Sequence, residues 1–207
     1  VKLTLLSFFI IHITYSQSFT SLPLNDMSAF RNQAGNWSVV SDVFMDKNSD
    51  VHHAGNSGIK TTAGTGILIN QNDATKNSAL LTNFEHGDIE MELEFMLPKG
   101  SNSGIYLQGR YEVQLYDSWG VKNPKFSDLG GIYRNWESEA GKTYAGKAPL
   151  ANAAKAPGLW QKMYVYFKAP TFDPNGKKIT NAKLNLVKIN GTTIHENVEI
   201  PLPTGGP

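Results

Sequence analysis

Residues 104–116 read Gly-Ile-Tyr-Leu-Gln-Gly-Arg-Tyr-Glu-Val-Gln-Leu-Tyr, and every second position in the run is apolar or glycine. Ile105, Leu107, Gly109, Tyr111, Val113 and Leu115 share one face of an extended chain, and Tyr106, Gln108, Arg110, Glu112, Gln114 and Tyr116 share the other. The pattern predicts one long strand with a core face and a face of hydrogen-bonding groups. The same alternation recurs over residues 37–44, 66–70, 79–82, 87–97, 159–169, 182–189 and 192–199, with Gly, Asn, Pro and Asp clusters between them. No long helical stripe competes with it. Asn190-Gly191 favours a two-residue type I′ turn, so the last two strands are expected to form a hairpin. Residues 98–102 are expected to join the two longest strands in the same antiparallel sense. The whole predicts an all-β protein, an antiparallel two-sheet β-sandwich or jelly roll.

The chain has 207 residues, 40% of them hydrophobic and 18% charged. That supplies a core and excludes a disordered or fibrous chain. Lys and Arg number 19 against 18 Asp and Glu, and no basic block stands out, so a nucleic-acid partner is not expected. The chain has no Cys, which removes thiol nucleophiles and thiolate metal sites. At the N-terminus Lys2 precedes an apolar run over residues 3–13, and Thr14 and Ser16 place small residues before a cut ahead of Gln17. Residues 1–16 therefore read as a cleavable signal peptide, too short to span a bilayer, and predict a secreted or periplasmic protein that is not membrane-spanning. Residues 19–207 read as a single domain.

On the polar face of residues 104–116, an Arg, a Glu and an amide lie about 6.6–6.8 Å apart in succession, flanked by aromatics. This is the equipment of a carbohydrate cleft, although a solvated sheet face looks much the same. A second row, Asp88, Glu90, Glu92 and Glu94, superficially resembles the carboxylate signature of laminarinase-type glycosidases, whose acid and nucleophile stand about 5–5.5 Å apart. Four acids at regular spacing, with no signal of a bulge, read better as a solvated convex face. The loop over residues 117–159 holds Trp119, Tyr133, Trp136 and Tyr144 and is expected to act as a lid. His52-His53 reads as a polar turn. No paired histidines, Gly-x-Ser-x-Gly elbow, phosphate loop or dinucleotide fingerprint is present.

The run from Asn102 to Ser118, NSGIYLQGRYEVQLYDS, resembles the signature of the 3-keto-disaccharide hydrolase domain family. Gly131-Ile132-Tyr133, the stretch PLANAAKAPGLW over residues 149–160, and Asn197-Val198-Glu199 with Pro203-Thr204-Gly205-Gly206 are similar to further family motifs. The resemblance implies a concanavalin-like sandwich, export by bacteria, and action on sugars oxidised at C3. The family usually carries Arg where this chain has Gln108. Its members continue past the position of Pro207 into further strands with a "QDHG"-like segment, so the domain is expected to lack its final strands and to leave an unpaired edge.

A ketone at C3 acidifies the C2 hydrogen, so a base can remove it, expel the C1 substituent and let water add back. The resemblance and the shared face suggest Glu112 as base, Arg110 and Gln114 as donors to the enolate, and Tyr133 or Asp117 as acid. Tyr106, Gln108, Trp119 and Trp136 complete the expected sugar contacts. A divalent metal ion held by Glu112 and Asp117 is the alternative electrophile to Arg110. A non-catalytic, lectin-like carbohydrate-binding module is the alternative to an enzyme.

Overall fold

The computed structural model describes residues 19–31, 35–45, 58–72 and 75–205. The signal-peptide segment and His52-His53 lie outside the described residues. The described residues form strands and no helix. Strands β1 (Phe30–Arg31) and β4 (Leu81–Thr82) pair with each other, and β2 (Trp37–Met45) pairs with β3 (Ile59–Asn70) as a separate ribbon. The first layer of the sandwich contains β5 (Ile89–Met96), β8 (Trp160–Lys168), β11 (Ala182–Ile189) and β12 (Thr192–Ile200), antiparallel in the order β12-β11-β8-β5. The second is built on β6 (Asn102–Leu107) and β7 (Tyr111–Tyr116). A small pair, β9 (Thr171–Phe172) with β10 (Lys178–Thr180), completes the set.

The far edge of β7 is also occupied. Ile132 bridges Val113, the Gln114 N–H donates to Gly131 O at 2.8 Å, and the Tyr133 N–H donates to Glu112 O at 3.2 Å. Ile132 in turn bridges Lys147. The loop expected over residues 117–159 is therefore partly sheet, and Tyr133 sits beside Glu112 as a strand neighbour rather than closing over it as a lid.

Period two builds the core. Met163, Val165 and Phe167 of β8 point inward together with Leu184, Val187 and Ile189 of β11, and meet Leu107, Tyr111, Val113, Leu115 and Ile132 of the other layer. Each such side chain contributes roughly 1.5–3 kcal/mol by leaving water. A register shift between Val187 and Lys188 breaks the alternation of the facing strand, and consecutive Ile194 and His195 are both buried. The His195 Nε2–H donates to Gly130 O at 2.8 Å, tying β12 to the segment that carries Tyr133.

Burial holds the His195 imidazole below its ordinary proton affinity; the hydrogen bond to Gly130 opposes this and the charge of Lys147 adds to it. The folded protein therefore binds fewer protons here than the unfolded chain, and stability is lost as pH falls below the ordinary histidine value of about 6.5. The expected result is a thermal midpoint that falls between pH 7 and 5, with a shallower slope in His195→Gln. Parallel slopes in the two proteins would exclude His195 as the cause.

Two further expectations need correction. Residues 104–116 are two strands, because Gln108 (φ 54°) and Gly109 (φ 64°) both turn left-handed and the Arg110 N–H closes a type I′ turn on Leu107 O at 3.0 Å. Residues 98–101 do not join paired strands: β5 pairs with β8, while β6 pairs with β7, so the connection crosses from one layer to the other. The Asn190-Gly191 turn is as expected, with φ of 51° and 84°.

Candidate functional site

On β6 and β7 the residues opposite one another share a face. Tyr106 stands opposite Glu112, Gly104 opposite Gln114 and Asn102 opposite Tyr116. This face points away from the core, since Leu107, Tyr111, Val113 and Leu115 take the other side. Tyr133, hydrogen-bonded to Glu112 across the next strand position, extends the row to Tyr106–Glu112–Tyr133. A carboxylate between two phenols is the centre of the site.

Glu112 is only 8% exposed, whereas Tyr106 is 37% exposed and forms the outer end of the pair. Burial raises the proton affinity of Glu112, and the hydrogen bond from Tyr106 opposes it. Two glycines make room for this carboxylate. A Cβ at Gly104 would lie 2.8 Å from Glu112 Cγ, and one at Gly205 would overlap both Glu112 Oε2 and the Tyr106 hydroxyl. Residues 203–205 form a strap over the site: the Thr204 N–H donates to Arg110 O at 2.8 Å, Thr204 Oγ1 accepts the Glu112 N–H at 2.7 Å, and the Gly205 N–H donates to Arg134 O at 2.8 Å.

Gln114 lies next to Glu112 on this face and is 2% exposed. Its Nε2 donates to Asn102 Oδ1 at 3.0 Å and to Ser127 O at 3.3 Å, while its buried Oε1 has no protein partner. Gln108 serves the turn instead: its N–H donates to His86 Nε2 and its Nε2 to His86 O, both at 3.0 Å. Arg110 is the extra residue of the turn, exposed and outside the ladder between Leu107 and Tyr111.

Asp117 is not part of this cluster. Five residues separate it from Glu112, about 16 Å along a strand. Its oxygens accept the N–H groups of Gly100 (3.0 Å) and Trp119 (3.3 Å). One metal ion cannot be shared by Glu112 and Asp117 at that distance, so both the metal pair and Asp117 as acid are corrected. The described residues contain no group of three or more His, Asp or Glu suited to an ion. Trp119 and Trp136 are each 60% exposed. Trp136 adjoins the site through Tyr133, their rings 5.8 Å apart, and Phe126 packs edge-on against Tyr133 at 5.3 Å.

The acidic row occupies the outer face of the other layer. Glu90, Glu92 and Glu94 stand opposite Tyr166, Tyr164 and Lys162. Lys162 pairs with Glu92 at 2.8 Å, Lys168 with Asp88 at 2.7 Å, and the Tyr164 hydroxyl donates to Glu90 at 2.7 Å. That phenol is pushed up to about 12, by burial first and then by Glu90. These are partners on a solvated face, as the sequence reading favours. Glu92→Gln is expected to cost less than about 1 kcal/mol and to leave turnover unchanged; a lost activity would move the catalytic centre to this face.

The sequence reading missed Thr204, Gly205, Arg134 and Phe126 as contributors. Pro203-Thr204-Gly205-Gly206 reads on the sequence only as a motif similar to the family's, and nothing local in it shows that Thr204 and Gly205 fold back onto a strand some ninety residues earlier.

The chain resembles a solved structure of a candidate glycosyl hydrolase from Parabacteroides distasonis ATCC 8503, with 22% identity, a TM-score of 0.52, and coverage of 94% of this chain and 79% of that one. At that identity the likeness establishes the fold. No curated protein matches significantly. The profile of the 3-keto-alpha-glucoside-1,2-lyase-like domain matches residues 25–207. With nearly the whole described chain covered, this protein belongs to that domain family, which is named for action on glycosides.

Proposed function

We propose that the protein is an exported enzyme that cleaves 3-keto-glycosides, 3-keto-disaccharides among them, by elimination across C1–C2 followed by addition of water. The observation that carries this is the buried Glu112 carboxylate between Tyr106 and Tyr133. Glu112 takes the C2 proton; the electron pair forms the enolate with the C3 ketone and then the C1–C2 double bond, as the C1–oxygen bond breaks. Tyr133, on the side of the exposed Trp136, donates a proton to the departing oxygen. The N–H groups of Gln114 are taken by Asn102 and Ser127, which leaves Arg110 as the donor assigned to the enolate. Water adds to the double bond, returning a proton to C2 and a hydroxyl to C1, and the elements of one water are consumed overall.

Raised proton affinity suits Glu112 to this role, because a base is most effective when its proton affinity approaches the working pH. Incubation with a 3-keto-disaccharide and with its unoxidised parent tests the proposal: release of free sugar from the first alone is expected. Release from both would point to ordinary glycoside hydrolysis. Binding without release would support the lectin-like reading, which the two exposed tryptophans favour. Export through residues 1–16 predicts a mature N-terminus at Gln17 in protein recovered from outside the cytoplasm.

A further inference from the structure

Beside the Glu112 row lies a cation stacked on aromatic rings. The Arg134 guanidinium stands 4.8 Å from the centroid of Trp136 and 6.0 Å from that of Phe126. Both rings also touch Tyr133. Stacking fixes the plane of a guanidinium while leaving its N–H edge available for a planar or tetrahedral anion. Arg134 is exposed and forms no ion pair among the described residues. The acids in the same loop do not take it: Glu139 is paired with Lys142 at 2.8 Å, and Glu137 is outside ion-pair distance.

The placement relative to Glu112 is direct. Tyr133 is one strand spacing, roughly 4.8 Å, from Glu112, and Trp136 lies 5.8 Å beyond it, ring to ring. The Arg134 carbonyl anchors Gly205, the glycine against the Glu112 carboxylate. A glycoside with its sugar at Glu112 and its C1 substituent toward Tyr133 brings that substituent onto Trp136 and within reach of Arg134.

Resting on the elimination reading above, we propose that Arg134 and Trp136 form the leaving-group subsite and select glycosides whose aglycone carries an anionic group, a carboxylate, sulfate or phosphate. Trp136 provides the apolar platform and Arg134 the charge-assisted hydrogen bonds.

The test uses two 3-keto-glucosides of one anomer, with 4-carboxyphenyl and 4-carbamoylphenyl leaving groups, which differ in charge and little in shape. Binding to the Glu112→Gln protein is measured by calorimetry, and turnover by the wild type is followed separately. The carboxylate is expected to bind at least about tenfold more tightly. That advantage should shrink with added salt and vanish in Arg134→Met, while Trp136→Ala should weaken both ligands. Equal affinities, a preference that survives Arg134→Met, or failure of both to bind would overturn the subsite. Turnover of both glycosides at equal kcat/KM would remove the subsite and leave the elimination reading standing. Selective binding of the carboxylate without turnover of either would do the reverse.

Discussion

Glu112→Gln is expected to lower turnover of a 3-keto-disaccharide by roughly 10²–10⁴-fold, the usual contribution of a positioned base, with substrate affinity nearly kept. The amide retains the shape that fits beneath Gly104 and Gly205 and can still accept from Tyr106. It cannot take a proton from carbon. Because burial raises the proton affinity of Glu112 in the folded state, the folded protein holds that proton more tightly than the unfolded chain. Stability from this group is therefore present at low pH and lost as pH rises from the ordinary glutamate value through the folded one. The glutamine variant should be more heat-stable than the wild type at neutral pH, with the difference shrinking toward pH 4. An inactive protein with an unchanged midpoint at pH 7 would mean that the carboxylate is not desolvated; an active one would clear Glu112 of the base role.

The largest loss of stability is expected from Gly131→Ala. Its Cβ would stand 2.5 Å from the carbonyl carbon and 2.9 Å from the Cα of Phe126. Backbone cannot rotate away as a side chain does, so either the Phe126 turn or the pairing of Gly131 with Gln114 must shift. Overpacking of this kind costs about 3 kcal/mol, which for a domain of this size corresponds to roughly 6–12 °C in thermal midpoint. Tyr133 is carried on the same segment, so turnover should fall as well. A midpoint within about 2 °C of wild type would show that the segment moves freely, and that Phe126 does not hold it.

The fold was legible because the cores of both layers follow period two: β8 and β7 alternate as written in Met163-Tyr164-Val165-Tyr166-Phe167 and Tyr111-Glu112-Val113, and β11 does so on either side of a register shift between Leu184 and Leu186. The reversal at Gln108-Gly109 escaped that reading for a geometric reason. Leu107 and Tyr111 are paired across the turn and four positions apart in sequence, so parity continues unbroken through the reversal. The signal was glycine at the second turn position, weaker here than the Asn-Gly of the last hairpin because Gln accepts positive φ less readily than Asn.

Glu112, Gln114, Tyr106 and Tyr133 are candidates on the sequence, and the structure brings them onto one face. Asp117 failed because its carboxylate caps a turn, a use that a short polar side chain after a strand commonly has. Arg134 and Gly205 were invisible because their importance comes from contacts between distant segments, which no local pattern encodes.

The strap over the site has a consequence for how the protein comes into being. Ninety-two positions separate the Glu112 amide from the Thr204 hydroxyl that receives its hydrogen bond. A ribosome must release residue 205 before that contact can close, and closing so long a loop is among the slower steps available to a folding chain. Until then Glu112 lacks the hydrogen bond and the cover that Thr204 and Gly205 give it. A nascent or C-terminally clipped chain therefore carries every residue of the Tyr106–Glu112–Tyr133 row without the strap that encloses Glu112.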